Sequence, residues 1–324
     1  MPANQNKRSN ESVEYKVKSG SEDTLRHIGK FCLVGQGGGM TAAYHIGVTH
    51  GLIERFPDQM DNNLHRVIAS SGAAAIYSFL VSGQVELQQP IFEYLFDSKK
   101  FVKPFRYPPG KGMMDIDFMV DNAMKPRLDI AALKSSPIEF DVGVTDSETG
   151  KAKFIEKNSP QVSDPLELIR ASCMVPYFSG DGVKLGNDEL GFRQYLDGTI
   201  GSVAGVEEVK DEENVLIVLT RPLDEPLPQR MLFRKMAARA LMEGLRPELQ
   251  AAIWGMMTQV GDLPERVAEM QKHHNVAVIE PSRPLPMWRI ELRPDGKERL
   301  IKTIEQGYED TLNNVKLEEF FKKI

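Results

Sequence analysis

Two spacings of apolar residues share this chain. Short apolar runs at Phe31–Val34, Val67–Ile68, Val215–Leu219 and Val276–Ile279 predict buried strands, and Ile138–Thr145 alternates apolar with polar residues as a strand does. A turn at Asp146–Gly150 leads into a further strand, Ala152–Ile155. Between these runs the spacing becomes helical. Tyr44, Val48, Leu52 and Phe56 fall on one face of a helix predicted over Thr41–Phe56, and Ala73, Ile76, Tyr77, Leu80 and Val81 mark one face of another. Residues 84–136 read as mostly helical with a break at Pro104–Gly112, and Leu166–Cys173 as a helix. Residues 227–272 read as two helices broken near Gly244–Pro247, and Glu298–Asn313 as a closing amphipathic helix. Alternating strands and helices argue for an α/β fold around a mainly parallel sheet.

The first helix carries a second stripe, Ala43, Gly47 and Gly51. Glycine inside a helix costs about 1 kcal/mol relative to alanine, so these glycines predict close approach to another backbone. A helix lying tightly across the sheet would explain them. His45 and His50 on the same helix read as partly buried or surface side chains.

Residues 66–81 hold the first candidate chemistry. The strand Val67-Ile68 passes through five very small residues, Ala69 to Ala73, into a helix. Strand, small-residue turn and helix is the context of a nucleophile elbow, which lifts a serine hydroxyl out of the sheet edge toward a helix N-terminus. In the frame Ala69-Ser70-Ser71-Gly72-Ala73 the nucleophile is Ser71. A frame one residue earlier centres on Ser70 but puts the bulky Ile68 where a glycine is expected. Taken alone, the stretch is more simply read as an ordinary β–α turn with two capping serines.

A second strand–loop–helix unit contains Gly37-Gly38-Gly39. One chemical reading is a dinucleotide fingerprint, Gly35-x-Gly37-x-x-Met40. It lacks the third glycine and a clear acidic strand end about 20 residues on. In the other, the glycines let backbone N–H groups point at an oxyanion near Ser71. Both need the same local geometry, and the serine turn favours the oxyanion hole.

Far downstream, Gln194-Tyr195-Leu196-Asp197-Gly198-Thr199 places an Asp-Gly turn after a short strand. With Arg170-Ala-Ser-Cys-Met-Val-Pro-Tyr-Phe178, the glycine loop and the serine turn, it resembles the patatin-like phospholipase family. That family is marked by a G-G-G-x-R/K-G loop, a G-x-S-x-G elbow, an R-A-S-x-A-x-P-x-x-F segment and a D-G-G/A turn. Val218–Pro222 and Val276–Arg289 are similar to its bacterial branch. The resemblance covers roughly residues 30–315, in order. It implies a three-layer α/β/α fold and a lipid acyl-ester hydrolase of the phospholipase A or lysophospholipase kind. The implied roles are a Ser71–Asp197 dyad working through an acyl-enzyme, an oxyanion hole at Gly37, Gly38 and Gly39, and supporting turns at Gly72 and Gly198. No cofactor is implied, and a phospholipid or other lipid ester is the implied substrate.

The sequence gives a histidine base no support. A Ser-His-Asp triad needs a histidine near the serine and downstream of the acid, and the pair His273-His274 reads as a solvated helix end. The chain also departs from the family pattern. Thr41 stands where the loop has a basic residue, Ala42 replaces the following glycine, and Ala69 and Ala73 replace both elbow glycines. These departures raise an alternative, a weakened patatin-like fold that binds lipid or a protein partner without turnover.

Composition adds limits. With 40 Lys and Arg against 46 Asp and Glu, the net charge of −6 argues mildly against a nucleic-acid binder. Two cysteines, Cys32 and Cys173, make no disulfide framework, so a reducing cytosol is expected. No apolar run approaches the ~20 residues of a membrane span, and no metal-ligand cluster stands out. Residues 1–29 are polar and aperiodic and read as a flexible tail. Residues 30–315 read as the hydrolase domain, on which residues 227–324 pack as a C-terminal extension. Lys99–Lys111 holds five basic residues and three aromatics. It is expected as an exposed loop near the site's mouth, giving peripheral contact with a membrane surface, or as a solvated loop whose aromatics fold back into the core.

Overall fold

Five strands run parallel at the centre of the molecule: β1 (Phe31–Gly35), β2 (Leu64–Ser70), β3 (Glu139–Asp146), β7 (Asn214–Val218) and β8 (Val276–Ile279). Three more, β4 (Ala152–Glu156), β5 (Val183–Asn187) and β6 (Gly191–Asp197), extend the sheet antiparallel. The order is β5-β6-β3-β2-β1-β7-β8, with β4 also paired to β3. The computed structural model describes residues 29–103, 112–210, 214–224 and 244–324. The expected N-terminal tail, much of the basic stretch Lys99–Lys111 and the first of the two helices expected within 227–272 therefore lie outside the described residues.

The longer helices are α1 (Tyr44–Arg55), α2 (Gly72–Val81), α3 (Gln88–Asp97), α4 (Pro165–Ser172), α5 (Pro247–His273) and α6 (Gly296–Leu312). They flank the sheet on both sides, and the strands show why. In β1, Phe31 and Leu33 join the larger core cluster, which also takes in residues of α1, α2, α3 and α4. Cys32 and Val34 point to the other face and pack in a second cluster with Leu263 and Val267 of α5. A strand buried on both faces has no polar alternation, hence the apolar runs. No helix among the described residues is long and apolar enough to cross a membrane.

Two expectations change. The helix expected over Thr41–Phe56 begins as a 3-10 turn, Gly39–Ala43, and becomes α-helical only from Tyr44. The small stripe of α1 faces another helix rather than the sheet. A Cβ on Gly47 would lie 1.8 Å from the Ile304 carbonyl oxygen, and one on Gly307 would lie 2.3 Å from that of Tyr44. α1 and α6 thus cross with their backbones in contact, each supplying a glycine at the crossing. The hairpin of β5 and β6 had little signal in the sequence, since the outer half of β6 is exposed and only its last residues enter the core.

Candidate active site

β3 carries two strand ends to one place. Ser70, the last residue of β2, pairs opposite Gly143, and Asp197, the last of β6, pairs opposite Val144. Consecutive residues of β3 thereby bring the serine turn and the Asp-Gly turn together, although they are far apart in sequence. The crossing is tight. A Cβ on Gly143 would fall 2.1 Å from Ser70 Oγ, and one on Gly198 would fall 2.2 Å from the Gly143 carbonyl oxygen. Ser70 therefore points into this backbone junction, and of the two turn serines Ser71 is the one that lines the pocket.

Ser71 has φ 56° and ψ −136°, a strained conformation for a residue with a side chain, directly before α2. Ala69 and Ala73 are both buried, so alanine at each flanking position is compatible with this turn. The Ser71 N–H donates to Ser172 Oγ at 2.8 Å, and that hydroxyl donates in turn to the Gly143 carbonyl at 2.6 Å. Ser172 belongs to the Arg-Ala-Ser segment at the end of α4. Its neighbour Arg170 pairs with Asp117 and Asp121, each at 2.6 Å, and with Glu167 at 3.1 Å. That network fixes the segment whose Ile116 and Met119 line the pocket.

Asp197 is 1% exposed. Its Oδ1 accepts from Thr199 N at 2.8 Å and Thr199 Oγ1 at 2.6 Å, its own N–H donates to the Met174 carbonyl at 2.8 Å, and its carbonyl accepts from Thr145 Oγ1 at 2.7 Å. Oδ2 is buried and meets no partner with full hydrogen-bond geometry among the described residues. Burial pushes the carboxyl above the ordinary aspartate range, opposed by the nearby Ser71 hydroxyl, by Thr199 and by the positive charge of Arg289. A carboxylate held by one oxygen and raised in pKa is suited to take up a proton.

The glycine loop is anchored from behind. Gln36 Oε1 accepts from Thr220 N at 2.9 Å. The Gln36 carbonyl lies 2.8 Å from His45 Nε2, and His45 Nδ1 lies 2.9 Å from the Tyr77 hydroxyl. A carbonyl only accepts, so Nε2 carries the ring proton and Nδ1 accepts from Tyr77. Burial lowers the His45 pKa to about 4 and keeps the ring neutral. His45 is thus a fully buried structural side chain, not the partly buried or surface residue expected. Thr41 is buried and closes the loop, its Oγ1 donating to the Gly38 carbonyl at 2.8 Å. The Met40 N–H is taken by the Arg289 carbonyl at 3.0 Å.

The pocket in front of Ser71 measures about 460 Å³. Gly38, Gly39, Ser71, Gly72, Asp197 and Thr199 form its polar end, and Phe92, Leu95, Phe101, Met119, Tyr177 and Met256 are among its apolar walls. Gly37 is not on its surface. A Cβ there would meet Thr199 Cγ2 at 2.4 Å and Ser71 Cβ at 3.0 Å, so Gly37 packs against Thr199 and Ser71. Gly198 packs against the Gly143 carbonyl and Ser70, while Gly72 meets the loop itself, 2.5 Å from the Gly39 carbonyl oxygen to an added Cβ. Of the basic stretch, Phe101 is buried in the pocket wall and Lys103 pairs with Asp115 at 3.6 Å. Cys173 also lines the pocket, with its thiol pushed well up by burial and by the Asp197 charge. His273 is exposed beside Glu269 and is not a pocket residue. Ser172, Thr199, His45 and Arg289 received no site role from the sequence.

The family model of patatin-like phospholipases matches residues 33–210, more than half of the 324 residues. The match contains the glycine loop, the serine turn, the Arg-Ala-Ser segment and the Asp-Gly turn. Among solved structures, VipD from Legionella pneumophila is similar over 90% of this chain and 67% of its own, at 13% identity and a TM-score of 0.45. No curated protein matches significantly.

Proposed function

We propose, from the premise that this chain belongs to the patatin-like phospholipase family, that it hydrolyses the acyl ester of a lipid with Ser71 as nucleophile and Asp197 as base. The observation that carries this reading is the meeting of the strained Ser71 turn and the buried Asp197 at the polar end of one apolar pocket. Ser71 Oγ attacks the ester carbonyl carbon and its proton passes to Asp197. The carbonyl oxygen becomes an oxyanion beside Gly38 and Gly39, where backbone N–H groups favour the new charge. Collapse breaks the ester C–O bond, and the alcohol leaves with the proton from Asp197. Water, losing a proton to Asp197, then attacks the acyl-enzyme and releases the fatty acid and Ser71. The acyl chain lies against the apolar walls, whose burial favours hydrocarbon over water.

Labelling with a fluorophosphonate, together with hydrolysis of a soluble short-chain ester, tests the reading. Wild type and Ser70→Ala are expected to react, and Ser71→Ala to lose both labelling and turnover while keeping its melting temperature. Labelling that survives Ser71→Ala and disappears in Ser70→Ala would move the nucleophile by one residue. A wild type inert in both assays would leave a binding protein in place of an enzyme.

A further inference from the structure

The pocket has two ends of different charge. Among the described residues that line it, the charged side chains are Asp197 and Arg289. Asp197 is buried, whereas Arg289 is solvent-exposed and its charge acts on the Asp197 carboxylate, so the carboxylate sits at the floor and Arg289 at the mouth. Arg289 comes from the segment after β8, outside the stretch that matches the family.

This arginine is mounted on a braced loop. Its carbonyl accepts the Met40 N–H at 3.0 Å and would lie 2.6 Å from a Cβ on Gly39, which roots it beside the glycine loop. Two residues on, Glu291 N–H reaches Met40 Sδ at 3.2 Å. The buried Glu291 carboxylate accepts from Trp288 N at 3.2 Å, Arg293 N at 3.0 Å and Arg293 Nε at 2.7 Å. Arg293 pairs with Glu291, and Arg289 is the cation of this loop that lines the pocket among the described residues.

We infer that Arg289 forms a phosphate-binding subsite at the pocket mouth, receiving a phosphate group borne by the alcohol part of the lipid ester. The inference rests on the hydrolase reading above. With the acyl chain against the apolar walls and the carbonyl at Ser71, the alcohol part points outward, past Gly39, to Arg289. A guanidinium matches phosphate with paired hydrogen bonds, and its charge offsets the repulsion between the Asp197 carboxylate and an arriving anion. Thr41, at the position where the family has a basic residue, brings no charge to the loop, and Arg289 is the cation among the described lining residues.

The test compares dihexanoyl phosphatidate with dihexanoylglycerol, both below their micelle concentrations, so that surface charge plays no part. Wild type is expected to show a KM about tenfold lower for the phosphatidate, the scale of one charge-assisted contact. Arg289→Gln is expected to erase that difference and Arg289→Lys to keep most of it. Binding of the two lipids to Ser71→Ala, read as a shift in melting temperature, is expected to favour the phosphatidate and to lose the preference in the Ser71→Ala, Arg289→Gln double variant. Inorganic phosphate alone is expected to give no such shift. Equal affinities in Ser71→Ala, a preference that survives Arg289→Gln, or a matching shift with inorganic phosphate would overturn the subsite. Selective binding without turnover of either lipid by wild type would instead overturn the hydrolase reading.

Discussion

The Ser172 hydroxyl bridges two backbones, accepting the Ser71 N–H at 2.8 Å and donating to the Gly143 carbonyl at 2.6 Å. Ser71 holds a positive φ, which costs a residue with a side chain about 1–3 kcal/mol unless its surroundings fix it. Ser172 is one of the groups that fix it. Ser172→Ala leaves a buried N–H and a buried carbonyl each short of a partner. It is expected to lower stability by about 1–3 kcal/mol in denaturant titration. It should also slow fluorophosphonate labelling of Ser71, because the turn can relax. Unchanged labelling would show that the turn is held without this bridge.

In the proposed mechanism Asp197 sets the pH dependence. Its pKa is raised, chiefly by burial, so the carboxyl is protonated at a higher pH than an ordinary aspartate. The base form is the deprotonated one, and kcat/KM is therefore expected to climb with pH through this raised value and then level off. Asp197→Asn should remove turnover, since an amide takes up no proton. An acid limb at the ordinary aspartate value would contradict the environment described for Asp197.

His45 gives stability its own pH window. The folded-state pKa, about 4, lies below the ordinary histidine value of 6.5. A lowered pKa means that the unfolded chain binds the proton first. The contribution of His45 is thus complete above about pH 6.5 and is lost as pH falls toward 4, by up to about 3 kcal/mol. His45→Gln should be less stable than wild type at pH 7, with the gap narrowing between those two values. A gap independent of pH would mean that the buried ring is not neutral.

The crossing of α1 and α6 gives a paired test by unfolding. Gly47→Ala would put a Cβ 1.8 Å from the Ile304 carbonyl oxygen. It is expected to destabilise by about 3 kcal/mol, the upper end of overpacking. Gly255 in α5 has nothing within 4 Å of an added Cβ. Gly255→Ala should therefore stabilise by about 0.5–1 kcal/mol through helix propensity. Equal effects of the two would refute the backbone contact between α1 and α6.

The strand and helix order was legible in the sequence because burial on both faces writes apolar runs into β1, β2 and β7, and helices write a 3.6-residue spacing. The small-residue turn at Ser71 was legible too, but that stretch alone reads more simply as a capped β–α turn, and it is the family resemblance that makes Ser71 and Asp197 candidates. The placement of His45, the partner of the Gly47 stripe and the site position of Arg289 were decided by tertiary structure alone. His45 is recognisable as buried only when the Gln36 carbonyl and Tyr77 close around it. Gly47 announces a close contact, but spacing within one helix carries no information about which backbone arrives. Arg289 reaches the pocket because the segment after β8 folds back onto Met40, a contact between residues far apart in the chain. Local sequence sets what a segment can form. Which distant segment completes a site depends on the register of the sheet, and here that register brings Ser70 and Asp197 opposite neighbouring residues of β3.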